Sequence, residues 1–372
     1  GISTAAGLGR LLGGDRRLVP TLGRGSDFIG ARLERLWLPA FRRGLGRSQV
    51  ACREPAGNFV ALAPGIVVAL GGNAISRRGE EISVENQRRN IRDACSSLAE
   101  IAGAHELVIT HGNGPQVGLL ALQNAAYTEG SLYPLDTLGA QTQGHIGYLI
   151  EIELRNTLPD RKKLTTVLTL VEVDPTDSAF QHPTKFVGPV YTPQQARSLA
   201  LGRGWTFAMD GELPRRVVPS PRPERVIQID SVKRLLSAGH VVVCTGGGGI
   251  PVSRDEGGIL SGVEAVVDKD ASSAVLGREI GAQALVLATD ADAVHVDWGT
   301  PNDKRIAVIG AEALDTMEFP AGSMGPKVEA ATAFVRSSGH EAYIGRLQDV
   351  SAMLEGSRGT RVVPGDAPAQ LV

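Results

Sequence analysis

Cysteine is scarce in this 372-residue chain: Cys52, Cys95 and Cys244 are few, odd in number and unpatterned. Their spacing argues against a disulfide framework or a zinc site, and for a reducing compartment, the cytoplasm. Long apolar runs are absent as well, since no segment carries the roughly 18 consecutive apolar residues that a membrane helix needs. The formal net charge is only -2. No overall basic field therefore points to nucleic acid or a membrane surface, and any anion site must be local. Neither G-x-G-x-x-G nor G-x-x-x-x-G-K-[ST] occurs, so the dinucleotide fingerprint and the P-loop are both missing.

Glycine and aliphatic residues are plentiful, and their arrangement carries the reading. Ile66 to Ile75 reads IVVALGGNAI. A run this apolar predicts a strand buried on both faces. Gly71 and Gly72 at its carboxyl end let the backbone turn tightly and present N-H groups to an anion. In an open parallel sheet that edge is where ligands bind.

The device recurs. Val84 to Ala102 has apolar residues at helical spacing, and strand Leu107 to Thr110 runs into His111-Gly112-Asn113-Gly114-Pro115, with a helix over Val117 to Ala126. His111 reads as a hydrogen-bonding brace rather than a base, the commoner role of a histidine at such a turn. Leu138 to Thr157 predicts a helix and Thr165 to Val173 one apolar strand. Prolines then crowd Asp174 to Arg225 around Lys185, which predicts a small protruding subdomain. Helix Ile229 to Ala238 and strand Val241 to Cys244 lead into Gly246-Gly247-Gly248-Gly249, best explained by close backbone approach to a ligand. Cys244 ends an apolar run and reads as a core residue.

Further along, Asp268-Lys269-Asp270 precedes a helix over Ala271 to Ile280, a lysine flanked by carboxylates that can hold it charged and aimed at a phosphate. Ala284 to Thr289 and Val294 to Val296 predict strands, and Lys327 stands where helix Val328 to Ser337 begins, so its charge and the helix dipole add. The first 65 residues differ in texture: ten arginines from Arg10 to Arg53 stand against four acids. That balance resembles an organelle transit peptide, but serines are sparse and an upstream extension or artefact is the blander expectation. A short amphipathic helix over Phe28 to Leu45 would be broken by Pro39.

Nine motifs in register then resemble the carbamate kinases of the amino acid kinase family. They are ALGGNA at Ala69 to Ala74, HGNGPQVG at His111 to Gly118, PLDT at Pro134 to Thr137 and TQGxIGY at Thr142 to Tyr148. The later ones lie at Val173 to Pro189, Arg216 to Pro223, Gly246 to Val252, Gly262 to Asp270 and Gly322 to Lys327. The resemblance implies an α/β fold, an open mainly parallel sheet sandwiched by helices with a small protruding subdomain. It implies a kinase domain over 66-364 after an extension over 1-65, with a lid at 174-225 and a tail at 365-372. Residues 66-173 would hold mainly carbamate or carbamoyl phosphate, and 226-364 mainly the nucleotide.

By the same resemblance, Lys185, Lys269 and Asp270 are catalytic. Gly71, Gly72, Asn73, Gly112, Asn113 and Gly246 to Gly249 contact phosphate, while Lys269, Thr289, Asp290, Val294, Met324 and Lys327 serve the nucleotide. Related acetylglutamate kinases place a lysine two residues before Gly-Gly; here Ala69 stands there, and Lys185 would supply the charge from the subdomain. The implied reaction is reversible transfer between carbamoyl phosphate and ADP, giving ATP and carbamate in arginine metabolism. Mg2+ would be held mainly by nucleotide phosphates, and the usual state is a homodimer. The competing expectations are another amino acid kinase, a non-catalytic binding protein that would have lost a lysine or Asp270, and a nicotinamide dehydrogenase.

Overall fold

The computed structural model describes residues 65-77, 79-127, 132-319 and 324-372. The Arg-rich beginning, with its helix expected over Phe28 to Leu45 and Cys52, lies outside the described residues.

The strand Ile66–Leu70 is fully buried and sits in the middle of a ten-stranded sheet. Six neighbouring strands run parallel, in the order Glu341–Arg346, Ala284–Thr289, Ile66–Leu70, Leu107–His111, His240–Val243, Lys163–Thr166. Alternation of side chains divides the first strand between two cores: Val67 and Ala69 face one, and Ile66, Val68 and Leu70 the other. That is why the run is continuously apolar: a parallel sheet covered on both faces favours an apolar side chain at every position that has no hydrogen-bond partner.

On one face lies Val84–Ala104, which buries Ile91, Cys95, Leu98 and Ile101 and is capped by Ser83, whose hydroxyl accepts from Asn86 N at 3.2 Å. On the other lie Lys269–Ile280 and Gly325–Ser338, packed through Leu276, Val328, Phe334 and Val335. Cys95 and Cys244 are both buried free thiols, and burial pushes each up to about 12, so they are inert core residues.

Two expectations need correction. Thr165 to Val173 is not one strand. Lys163–Thr166 ends the large sheet, whereas Leu170–Val173 joins a four-stranded sheet between Ile250–Arg254 and Pro223–Val226. Between them Gln143 takes both backbone groups of Thr169, its Oε1 accepting from Thr169 N and its Nε2 donating to Thr169 O at 3.3 Å, which diverts the chain from the ladder. The helix expected from Ala271 begins at Lys269, because Asp268 caps it. Lys269 and Asp270 thus belong to its first turn.

The proline-rich region is more regular than its texture suggests. Lys185–Val190, Leu213–Val218 and Thr206–Asp210 form a separate three-stranded antiparallel sheet. Beside it, Pro193–Arg203 is bounded by a capping box of Thr192 and Gln195 and by Gly204 at φ 68°.

Candidate active site

The carboxyl ends of the parallel strands bring the glycine turns together. A Cβ on Gly71 would stand 2.8 Å from Ala288 O, and one on Gly112 would stand 3.3 Å from Lys269 Cδ. Gly112 therefore lets the aliphatic stem of Lys269 lie against the second turn. Asn73 belongs to the short helical turn Gly72–Ala74.

The run Gly246 to Gly249 is fully buried, and the protein itself supplies a reason for it. Gly247, Gly248 and Gly249 have φ of 68°, 91° and 87°. Added Cβ atoms at the four positions would overlap His111, Asn113, Val267 and Val171 respectively. Gln143 Nε2 donates to Gly246 O at 2.9 Å, and Ser272 Oγ donates to Gly248 O at 2.6 Å, tying the turn to two helices. Asn113 Oδ1 accepts from Thr142 Oγ1 at 2.8 Å and leans on Gly247. Thr110 and Ser273 hydroxyls meet at 2.6 Å, fastening the Lys269 helix to the second strand.

His111 donates from Nδ1 to Gly112 O at 3.0 Å. Burial, reinforced by Lys269 and only partly offset by that bond, lowers its ring pKa to about 4. It is neutral near pH 7 and braces the turn.

Charge is concentrated beside these turns. Lys269 Nζ is paired with Asp270 Oδ1, and Lys327 Nζ lies 3.3 Å from Asp270 Oδ2. Asp270 is 3% exposed, so a nearly buried carboxylate is shared by two lysines. Burial lowers the Lys269 pKa; Asp270 opposes the shift and Lys327 adds to it. Lys185 reaches in from the three-stranded sheet, its Nζ 2.6 Å from Asp268 Oδ2. Three ammonium groups thus face two carboxylates. The surplus positive charge, with the amino ends of helices Lys269–Ile280 and Gly325–Ser338 nearby, suits an anion.

Two clefts flank this array. The larger, about 1330 Å³, is lined by Lys185, Arg222 and Asp268 and by faces of both helices. The smaller, about 590 Å³, is lined by Gly71, Gly72, Thr289, Asp290 and Lys327. Val294 is not brought to either cleft. Its side chain is fully buried in the core, and its backbone N donates to Thr360 Oγ1. Met324 immediately precedes Gly325–Ser338 and packs on the core, with its carbonyl accepting from Lys327 N and Val328 N at 3.0 Å.

The amino acid kinase family model matches residues 64–346. The chain belongs to the amino acid kinase family. The sheet between helix layers is the family's fold, and the family match together with relatives named carbamate kinase makes the chain a phosphotransferase. Among curated relatives, a carbamate kinase of Haemophilus influenzae is 53% identical over 297 residues, covering 80% of this chain and 96% of its own length. One of Rhizobium meliloti is 54% identical, covering 79% and 92%. A solved carbamate kinase of Giardia lamblia bound to AMP-PNP is 36% identical with a TM-score of 0.75, covering 82% of this chain and 99% of its own.

The sequence pattern had Asp268 share with Asp270 the aiming of Lys269; in the structure Lys269 pairs with Asp270, and Asp268 caps the helix and holds Lys185. The signal for the cap was present: an aspartate directly before a helix is an N-cap, and its second oxygen is then free for a partner. Gln143 was missed as a clamp, because the residues it holds, Thr169 and Gly246, are 26 and 103 positions away.

Proposed function

We propose that this phosphotransferase is a carbamate kinase, moving a phosphoryl group reversibly between carbamoyl phosphate and ADP. An ADP β-phosphate oxygen attacks phosphorus in line, the bond from phosphorus to the carbamate oxygen breaks, and carbamate leaves to decompose into ammonia and CO2. Both attacking and leaving groups are anions, so no proton transfer is needed. Negative charge gathers on the equatorial oxygens of the transferring group, and preorganised cations and N-H groups stabilise it.

The observation that carries this reading is a pair of charged groups set beside the glycine turns, Lys185 with Asp268 and Lys269 with Asp270 and Lys327, borne on neighbouring positions of one helix start. Asp270 spaces two of the cations, Lys327 opens toward the smaller cleft with Thr289 and Asp290, and Lys185 comes from the lid sheet. In this reading the lid covers carbamoyl phosphate and supplies the charge that Ala69 lacks. A buried Ala69 with no lysine is consistent with that division of labour.

Mg2+, bound together with the nucleotide, would neutralise part of the phosphate charge. Among the described residues no group of three or more His, Cys, Asp or Glu side chains is placed to hold an ion, and Asp270 is already shared by two lysines. The metal would therefore be held through the nucleotide, with Lys269 and Lys327 on the same phosphates. The protein is further proposed to work as a cytoplasmic homodimer in arginine metabolism.

The test is ATP formation from ADP, Mg2+ and fresh carbamoyl phosphate, coupled to hexokinase, with acetyl phosphate as a second donor. Carbamoyl-phosphate-dependent ATP is the expected result. A folded, nucleotide-binding protein that makes none would overturn the assignment in favour of another acceptor.

A further inference from the structure

Asp268 makes two different connections with its two oxygens. Oδ1 accepts from Asp270 N at 2.9 Å and Ala271 N at 3.2 Å, which caps the helix carrying Lys269 and Asp270. Oδ2 accepts from Lys185 Nζ at 2.6 Å. Lys185 opens its strand and pairs with Val218 across the lid sheet, so its ammonium reports where that sheet lies. The sheet is also fastened by apolar packing of Val187 and Val218 with Val117, Leu135, Leu138 and Val266, by Arg216 Nη2 at 3.5 Å from Glu264 Oε1, and by Val266 N donating to Pro219 O at 3.0 Å. None of these contacts touches Lys185 or fixes the direction of its long, flexible ammonium side chain.

Capping alone does not require a negative charge, since Asn, Ser and Thr cap as well as Asp. The bond to Lys185 is what uses the charge. We infer that Asp268 is a positioning residue that holds the Lys185 ammonium at the reaction centre and so sets the lid in register with the helix bearing Lys269 and Asp270. The inference rests on the proposed role of Lys185 in phosphoryl transfer. A cation held beforehand costs no reorganisation when charge develops on the transferring group, and a displaced one contributes little.

Asp268→Asn separates the two connections, because asparagine keeps the cap and removes the charge. In the coupled assay the variant is expected to lose roughly tenfold or more in kcat and to raise KM for carbamoyl phosphate, as loss of one charged hydrogen bond would. KM for ADP should stay within about twofold of the parent. Combined with Lys185→Ala, it should add no loss beyond that of Lys185→Ala alone. Hydrogen exchange, read without substrate, should accelerate in Lys185–Val190 and Leu213–Val218 more than in the large parallel sheet, with a fall of only a few degrees in the thermal midpoint.

An Asp268→Asn enzyme matching the parent in turnover and in lid exchange would reduce Asp268 to a cap and sink the inference. Losses that multiply in the double variant would do the same, because the two residues would then act independently. Failure of the parent to make ATP from carbamoyl phosphate would instead remove the reaction assignment, and the exchange comparison would still decide whether Asp268 anchors the lid.

Discussion

Replacing Lys269 by methionine separates charge from packing at the centre of the site. The thioether chain keeps most of the aliphatic contact with Gly112, whereas the ammonium that pairs with Asp270 disappears. Asp270 would not be left as an uncompensated buried charge, since Lys327 remains 3.3 Å from its second oxygen. Loss of one charge-assisted hydrogen bond costs about 1.5 to 3 kcal/mol, against a typical total stability of about 5 to 15 kcal/mol. The variant should therefore fold.

Turnover is another matter. One preorganised donor aimed at developing charge contributes about 3 to 4 kcal/mol, which at about 1.36 kcal/mol per tenfold is a loss of a few hundredfold in kcat. The hexokinase-coupled assay reads this directly beside the parent, with circular dichroism showing that both are folded and calorimetric titration giving ADP affinity. A folded Lys269→Met enzyme turning over within about threefold of the parent would refute the electrostatic argument.

Gly247→Ala should destabilise by at least about 2 kcal/mol, from the left-handed backbone at φ 68° and the overlap with Asn113 Oδ1, whereas Gly202→Ala, in a helix with open space around it, should be neutral or slightly stabilising. Urea midpoints of the two variants decide this, and equal midpoints would contradict it. Acid should weaken the fold through His111, whose folded pKa of about 4 lies below its ordinary 6.5. The unfolded chain takes up a proton that the folded state refuses, so this contribution is complete above about pH 6.5 and falls as pH drops toward 4, by about 3 kcal/mol in all. Urea midpoints of parent and His111→Gln between pH 7.5 and 4.5 should converge in acid. Parallel curves would remove His111 as the cause.

Much of this was legible in the chain itself. IVVAL and ALVLAT are apolar at every step but the last threonine, and only a strand covered on both faces accommodates that pattern, so the parallel layers follow from composition. Asp268 before a helix and Thr192-Pro193 with Gly204 are local signals whose physics needs no distant partner. Glycines at strand ends marked the edge that carries the site. The nearest-neighbour physics of the backbone determined these features.

Tertiary structure decided what sequence spacing cannot encode. Whether Asp268 meets Lys185, 83 positions earlier, depends on how the three-stranded sheet lies. Whether Asp270 gathers Lys327, 57 positions on, depends on two helices packing side by side. The break between Lys163–Thr166 and Leu170–Val173 was invisible because its cause, the Gln143 amide, arrives from another helix. The four glycines read as a ligand's cradle, yet His111, Asn113, Val267 and Val171 already leave no room for a Cβ. Local propensity fixes most elements, and a distant contact such as the Gln143 amide decides where one ends and the next begins. Steric exclusion and the pairing of buried charge, both properties of atoms brought together from far along the chain, fix what those elements hold between them.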